Sequence, residues 1–328
     1  MGRFNTIVGT GGIGTGTLWY LADDRTLGRD ESRPGVLSDA RDYCKQHIIL
    51  HYLAQVLLDE VRVHAIGKVG GDPSGTRLLD EMRIAGIDTT CVEIGKDSVT
   101  MQSVCLQYPD YSVCNVTTVN SVSQHVDASY VHQCLERLAP HWHQKPLVLA
   151  VPEVPLEARI ALLQAGWEQG AFCVASALRE EAAAFLESKG LSLCHLLVIN
   201  HDEAEAIFGF SGTDTEQLVN AVRQKIPKTN ETLAVIITLG KDGYLAVDKY
   251  KTARKMVRTA KVVSTAGAGD AFTAGVICGL HFGYGLFSEE GHRTALDFGS
   301  FFAGHSVACK HTIDPGITRD IVLDFKTS

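Results

Sequence analysis

Short runs of apolar, mostly β-branched residues alternate along the chain with longer stretches whose apolar residues recur at helical spacing. The short runs predict strands at 6–8, 63–66, 147–151, 172–175, 196–199, 235–238 and 244–247. Several of these runs are apolar at consecutive positions, as expected of strands buried on both faces of a sheet. Strands that alternate with helices form βαβ units. The pattern therefore predicts an α/β protein with a mostly parallel sheet.

The longer stretches are amphipathic and predict the helices. These are expected at 39–58, 73–85, 156–169, 179–188, 216–225, 270–280 and 289–308. Ser38 is the expected N-cap of the first helix, and Gly86 is placed to end the second.

Two segments, 15–21 and 99–119, break this pattern. Both alternate between apolar and polar residues as half-exposed strands do, and Tyr108-Pro109-Asp110 interrupts the second. They predict an antiparallel flap over one edge of the sheet. Because neither an internal repeat nor a low-complexity linker is evident, we expect one domain over 1–328, with lid strands from 15–33 and 96–122.

Composition and charge narrow the class of protein. The chain has 328 residues, 45% hydrophobic and 21% charged, which is ordinary for a globular protein. A net charge of −8 argues against a nucleic-acid partner, which usually requires a basic surface.

The chain also shows no sign of a membrane or secretory protein. Its apolar runs are too short to span a bilayer, and its N-terminus lacks the features of a signal peptide. The nine cysteines lie scattered without close pairs, which favours reduced thiols. We therefore expect a cytoplasmic protein without a membrane partner.

The strongest chemical signal is the run Gly267-Ala268-Gly269-Asp270, which leads directly into a helical pattern. Amides at a helix start point outward, and the helix dipole adds positive potential, so this position suits an anion. Glycines let a phosphate approach the backbone closely. An Asp in the first turn suits this place if its carboxylate accepts a proton while the amides hold negative charge. A simple glycine-rich turn capped by Asp270 is the alternative.

Three further runs follow predicted strands. Asn200-His201-Asp202-Glu203 is placed to organise magnesium through water, or to begin a helix with a capping box. The second run is Thr238-Leu239-Gly240-Lys241-Asp242-Gly243, which by itself suits a hairpin turn. The third run, at 66–75, leads from a strand end into a helix. Ligands of α/β sheets bind beyond the carboxyl ends of strands, where these runs are expected to meet.

Taken together and in this order, these runs resemble the ribokinase-like (PfkB) family of carbohydrate and nucleoside kinases. The resemblance extends from about residue 66 to residue 308. It implies a three-layer α/β fold, with helices on both sides of a mostly parallel sheet and a small β-strand lid over the acceptor. It also implies an ATP-dependent kinase that uses Mg²⁺ and a small-molecule acceptor: a sugar, a sugar-like polyol or a nucleoside.

The resemblance also implies roles for individual residues. Asp270 would be the catalytic base, and the amides of the three residues before it would form an anion hole for the transferring phosphoryl group. The anion-hole residues are Gly267, Ala268 and Gly269. Asn200 and Glu203 would serve magnesium and phosphate, with Glu203 acting on the metal through water. The residues expected along the nucleotide are Thr238, Gly240 and Gly243.

The N-terminal third departs from the family. Its first strand usually leads to an Asp that holds acceptor hydroxyls, whereas here the strand ends in the glycine-rich run 9–14. The family's Gly-Gly-rich substrate segment is reduced to 33–39, in which Gly35 and Asp39 remain as candidate acceptor contacts. Asp39 also suits the first turn of a helix. Ser264 stands where many members carry an Asp or Asn that helps to seat a monovalent cation.

Parts of the sequence are also compatible with other functions. Gly9-x-Gly11-x-x-Gly14 matches the dinucleotide fingerprint of a dehydrogenase, but the helix that this fingerprint requires is not predicted after it. A P-loop sequence is absent. The rival from another class is a non-catalytic sensor that keeps the fold and binds a sugar or nucleotide. The pairs His47/His51 and His141/His143 suggest a metal, but neither has a third ligand nearby in the sequence.

Overall fold

The structure is a computed structural model that describes residues 2–110, 112–140, 145–212, 214–228, 230–256, 262–288 and 291–328. In chain order the strands are β1 (Thr6–Thr10), β2 (Gly14–Leu21), β3 (Gly35–Leu37), β4 (Asp42–Tyr43), β5 (Arg62–Gly70), β6 (Ile87–Gly95), β7 (Met101–Gln107), β8 (Val113–Thr117), β9 (Pro146–Ala150), β10 (Phe172–Ala175), β11 (Leu196–Asn200), β12 (Ala234–Thr238), β13 (Tyr244–Val247) and β14 (Thr252–Lys255). The helices are α1 (Lys45–Leu57), α2 (Pro73–Ile84), α3 (Ala128–Leu138), α4 (Leu156–Glu168), α5 (Ala182–Glu187), α6 (Gly190–Leu193), α7 (His201–Phe208), α8 (Thr215–Lys225), α9 (Ala268–His281), α10 (Ala295–Ala308) and α11 (Arg319–Thr327). None of the described helices is long and apolar enough to cross a membrane.

The main sheet runs β14-β13-β12-β11-β10-β9-β1-β5-β6. All neighbours from β12 to β6 are parallel, and β13 and β14 are added antiparallel at one edge. Every residue of β1 and β9 is buried, because helices cover both faces of the sheet. The predicted α/β fold with a mostly parallel sheet is confirmed.

Successive residues of β9 show the three layers. Leu147 and Leu149 pack into a core shared with α1, α2, α9 and α10, whereas Val148 and Ala150 pack into a second core shared with α3, α4, α7 and α8. This alternation follows from the two-residue period of a strand.

The small second sheet has the order β3-β2-β7-β8, with β4 also paired to β2. Because β2 and β7 pair in parallel, the expectation of an antiparallel flap was wrong for this pair. The physical reason is that β2 follows β1 and β7 follows β6. Since β1 and β6 run in the same direction, β2 and β7 both continue from the carboxyl end of the main sheet. The predicted lid ranges contain β7, β8 and most of β2, whereas β3 and β4 lie outside them.

The first helix begins later than predicted. It starts at Lys45 with Cys44 as N-cap, so a start at residue 39 with Ser38 as N-cap was wrong. Among the intervening residues, Asp42 and Tyr43 form β4, which pairs with β2 and thereby competes with helix formation. Gly86 does end α2, in the left-handed conformation with φ of 89°. The predicted helix 289–308 is observed only from Ala295 onward, and residues 289 and 290 lie outside the described part.

Candidate active site

The glycine-rich run 267–270 forms the start of α9, as predicted. Gly267 is the N-cap, with φ of 77°, and a Cβ atom there would lie 2.8 Å from the carbonyl oxygen of Thr312, so only glycine fits. The Ala268 N–H donates to the Thr265 carbonyl at 3.3 Å. Gly269 and Asp270 follow in the first turn, where N–H groups have no acceptor within the helix. These two amides and the helix dipole suit an anion.

Asp270 lies close to a lysine. Its side chain is 15% exposed, and Lys45 Nζ lies 3.6 Å from Asp270 Oδ1. Burial raises the pKa of the Asp270 carboxyl, and the positive charge of Lys45 opposes that rise. Asp270 raises the pKa of Lys45 in turn, so the lysine stays charged.

Asn200 and Glu203 form a capping box at the start of α7. The Glu203 N–H donates to Asn200 Oδ1 at 2.9 Å, and the Asn200 N–H donates to Glu203 Oε2 at 2.8 Å. Glu203 is 7% exposed, and burial raises the pKa of its carboxyl. The capping role considered for this run is therefore present, and both residues also line a cavity that Asp270 lines too.

Thr238, Gly240 and Gly243 lie where β12 turns back into β13. The backbone has φ of 57° at Gly240 and 85° at Gly243, a region that favours glycine. A Cβ atom at Gly243 would come within 1.9 Å of the Lys255 carbonyl oxygen, whereas one at Gly240 would meet nothing within 4 Å. Gly243 is thus required by packing, and Gly240 leaves open space.

These residues surround one cavity of about 480 Å³ beyond the carboxyl ends of β9 to β12. Its lining includes all nine residues that the family resemblance assigned to catalysis, phosphate, metal and nucleotide. They are Asn200, Glu203, Thr238, Gly240, Gly243, Gly267, Ala268, Gly269 and Asp270. The lining also includes apolar residues, among them Val174, Val198 and Val307.

The two candidate acceptor contacts are not part of this lining. Gly35 lies in β3 and pairs with Leu21. The side chain of Asp39 is 81% exposed and forms an ion pair with Lys310. Because α1 begins at Lys45, Asp39 is not a first-turn acid of that helix either.

Two charged residues near Asp270 were missed from the sequence. Lys45 was placed inside a longer helix, which hid its position at a helix start. Glu153 follows β9 by three residues, and its place beyond a strand end was the available signal. Glu153 has φ of 78°, and burial raises the pKa of its carboxyl to about 7, with Lys45 opposing the rise. Its Oε2 is buried and has no hydrogen-bond partner among the described residues.

Asp42 brings a further carboxylate to the small sheet. Its Oδ2 accepts from Ser103 Oγ and Cys105 Sγ, each at 3.4 Å. A Cβ atom at Gly16 would overlap this carboxylate, so Asp42 takes space that the glycine leaves. Burial raises the pKa of Asp42, and Asp270 adds to the rise.

The alternative sites lack their structural context. The glycine run 9–14 leads from β1 into β2 rather than into a helix, so the dinucleotide fingerprint has no helix start. Within the described ranges, the one group of possible metal ligands is His201, Asp202 and Glu205. Glu205 already pairs with Arg179, 3.6 Å away. His141 and His143 lie outside the described residues.

Comparisons with known proteins agree on one family. A sequence model described as pfkB family carbohydrate kinase matches residues 49–319. A ribokinase of Haemophilus influenzae is 26% identical over 264 residues, covering 80% of this chain and 81% of that protein.

Solved structures show the same fold. The chain is similar to a ribokinase structure from Giardia lamblia, with a TM-score of 0.80 and 21% identity over 98% of this chain and 99% of that one. It is also similar to a ribokinase from Cryptococcus neoformans in complex with ADP, with a TM-score of 0.77 and 20% identity over 98% and 99% of the two chains.

Proposed function

The chain belongs to the pfkB family of carbohydrate kinases, and we propose that it transfers the γ-phosphoryl group of ATP to a hydroxyl group of a sugar, a sugar-like polyol or a nucleoside. The observation that carries this proposal is the joint placement of Asp270 and the first-turn amides of α9 at one cavity. A base and an anion site on the same helix turn suit the transfer of an anionic group to a hydroxyl.

Asp270 acts as the general base in this proposal. Its carboxylate takes the proton of the acceptor hydroxyl while the hydroxyl oxygen forms a bond to the γ-phosphorus. The bond between that phosphorus and the β,γ-bridging oxygen breaks, and ADP leaves. The Gly269 and Asp270 amides stabilise the charge on the transferring group. The Ala268 N–H already donates to the Thr265 carbonyl, so in this proposal it contributes less than those two amides.

The nucleotide lies along the α9 start and the β12–β13 turn. A side chain at Gly269 would meet nothing within 4 Å, so the space beside this amide is open to a phosphate. Gly240 leaves similar space. The apolar lining residues Val174 and Val198 suit the nucleobase of ATP. The cavity volume of about 480 Å³ lies within the range of small-molecule sites.

Glu203 and Asn200 would hold Mg²⁺. Their oxygen atoms are the hard ligands that this ion prefers, and Mg²⁺ usually keeps several waters. Glu203 is 7% exposed and its Oε2 accepts the Asn200 N–H, which fits contact through water rather than direct coordination. When bound, Mg²⁺ neutralises phosphate charge.

The acceptor lies between Asp270 and the near end of the small sheet. In addition to burial, Asp270 raises the pKa of the Glu153 carboxyl and that of the Asp42 carboxyl, which supports an acceptor position near these three residues. Carboxylates accept hydrogen bonds from hydroxyl groups, so they suit a polyhydroxylated acceptor.

The small sheet is proposed to act as a lid and as a dimer contact. Val104 and Val116 are paired across β7 and β8, and with Leu37 they lie on one face of the sheet, 47%, 74% and 56% exposed. The other face carries the buried Leu18 and Cys105. Apolar side chains exposed on one face of a sheet suit contact with a second copy of the chain.

The proposal is tested by measuring ADP release from Mg-ATP across a panel of sugars, sugar phosphates, polyols and nucleosides. We expect acceptor-dependent release that disappears in Asp270→Asn and persists in the control Asp324→Asn, which changes an exposed acid on α11. Nucleotide binding without release for any acceptor would favour the sensor and contradict the kinase.

A further inference from the structure

Lys45 lies at the junction of the small sheet and the main domain core. It is the first residue of α1 and comes two residues after β4, which pairs with β2. Its side chain is 31% exposed and lines the cavity, with Nζ 3.6 Å from Asp270 Oδ1. The local structure therefore directs a lysine at the residue proposed as the base.

Lys45 is surrounded by negative groups. Asp270 from α9, Glu203 from α7 and Glu153 after β9 act on Lys45, and each raises the pKa of its ammonium group, with Asp270 the largest. In addition to burial, Asp270 also raises the pKa of Asp42 from β4. The thiol of Cys44, which is uncharged because burial raises its pKa, also faces these groups.

Little other positive charge is available at this position. Among the described residues that line the cavity, the other basic side chain is that of Lys241, which is exposed beyond β12. Without Lys45, several buried carboxyl groups would face one another with no cation among them. Like charges and burial both favour the protonated acid, and a protonated Asp270 cannot accept a proton.

The geometry suits a fixed charge rather than a shared proton. A separation of 3.6 Å between Lys45 Nζ and Asp270 Oδ1 is too long for a strong hydrogen bond but close enough for an ion pair. The contact uses Oδ1, which leaves Oδ2 to accept the acceptor proton.

We propose that Lys45 is the positioning residue for Asp270, holding its carboxylate ionised and oriented at the start of α9. This inference rests on the proposed phosphoryl transfer, in which Asp270 must be ionised to act.

The pH dependence of kcat/KM tests this role. Removal of the lysine charge in Lys45→Met should move the acid limb upward by roughly 1–3 pH units, because an opposite charge at this distance shifts a carboxyl pKa by that amount. Lys45→Arg keeps the charge and should keep the limb near its wild-type position. A purely structural role would lower the rate at every pH without moving the limb, and that result would overturn the proposal.

Lys249→Met is the matched control. Lys249 pairs with Glu231 and follows β13, which runs antiparallel and so ends at the opposite edge of the sheet from the cavity. It should leave both the rate and the acid limb unchanged. If Lys45→Met instead raised KM for anionic acceptors alone and left the limb in place, Lys45 would be an acceptor contact and the proposal would be wrong.

A titration without turnover separates this inference from the kinase proposal. Carboxyl ¹³C shifts of Asp-labelled protein are followed with pH, and the Asp270 signal is identified by its absence in Asp270→Asn. The Asp270 pKa should be higher in Lys45→Met than in the wild type and Lys45→Arg. An unchanged pKa would overturn the role of Lys45 even in an active kinase. If no acceptor were phosphorylated, this titration alone would decide the role.

Discussion

At the residue scale, the proposed chemistry depends on how burial and charge balance at Asp270. Burial favours its neutral form, and Lys45 favours its ionised form. Neither effect is visible in a motif, because each arises from residues far apart in the chain. The glycines around Asp270 have two different roles. Packing requires a glycine at some of these positions, and at others the missing side chain keeps space open for a ligand.

Gly269 and Gly243 are predicted to respond differently to the same substitution. Gly269→Val adds a side chain into open space beside the proposed phosphate path, so ATP affinity should fall roughly tenfold or more, about 1.4 kcal/mol, with little change in Tm. Gly243→Val meets the Lys255 carbonyl and an unfavourable φ of 85°, so it should lower Tm. Calorimetric titration measures the ATP affinity of each variant, and thermal unfolding measures its Tm. Equal ATP affinity in Gly269→Val and wild type would argue against the phosphate path.

His47 is predicted to make the fold sensitive to acid. It is fully buried, neither ring nitrogen has a partner among the described residues, and burial lowers its pKa to about 3. Burial also lowers the pKa of His51 to about 4. In the unfolded chain both return to about 6.5, so below that pH the unfolded state binds protons first. The free energy of unfolding should therefore fall as the pH drops from 6.5 towards 4.

The variant His47→Phe removes one of these groups. It should reduce the slope of the unfolding free energy against pH by up to about 1.4 kcal/mol per pH unit. His132→Phe changes an exposed histidine on α3 and serves as the control. Urea unfolding at pH 7, 6, 5 and 4 measures the slope. The same slope in His47→Phe and wild type would show that His47 does not control acid sensitivity.

At the element scale, strands buried on both faces could be predicted and edge elements could not. The runs at β9, β11 and β12 are continuously apolar because helices cover both faces, and that pattern is visible in the sequence. β6 and β14 lie at the sheet edges, carry polar residues and were missed. The start of α1 was placed too early because the pairing of β4 with β2 is a tertiary effect.

The residues of the candidate site show the same difference between local sequence patterns and tertiary contacts. Residues that stand in local runs, such as Asn200 and Asp270, were found from those runs. Lys45 and Asp42 are brought to the site by tertiary contacts and no local spacing marks them, whereas Glu153 had only its place beyond the end of β9 as a signal.

Asp72 is predicted to hold the small sheet to the main one. Its Oδ1 accepts from the Gly75 N–H and from Thr100 Oγ, both at 2.8 Å, and its Oδ2 accepts from the Thr100 N–H at 2.7 Å, directly before β7. Asp72→Asn would place an NH₂ group against the buried Thr100 N–H. We expect a loss of about 1–3 kcal/mol in unfolding free energy and faster hydrogen exchange in β7.

Asp80→Asn is the control. Asp80 lies on the exposed side of α2, the helix that Asp72 caps, so this variant should change neither the unfolding free energy nor the exchange in β7. Denaturant unfolding combined with amide exchange distinguishes a local from a global effect. Unchanged exchange in β7 of Asp72→Asn would show that Asp72 does not attach the small sheet.

At the scale of the whole molecule, the proposed ligand cavity lies beyond the carboxyl ends of β9 to β12 in the main sheet. The predicted three-layer architecture is confirmed. Dimerisation stays a prediction, since it depends on a face of the small sheet whose partner would be a second chain.

Val116→Lys tests that prediction. Val116 is 74% exposed, so a lysine there should leave the fold intact while opposing association through this face. Sedimentation velocity at micromolar concentration should show a wild-type dimer, a Val116→Lys monomer and a dimer for the control Val119→Lys, whose residue lies outside the strands. A monomeric wild-type chain would rule out the contact.

The most direct test of the central claim is a single-turnover measurement of γ-phosphoryl transfer from ATP to an acceptor, with ATP affinity determined on the same samples. For Asp270→Asn the account predicts a transfer rate lower by ~10²–10⁴ and nearly unchanged ATP affinity, as expected when a general base is lost. A variant that transfers the phosphoryl group at the wild-type rate would contradict Asp270 as the base and the mechanism built on it.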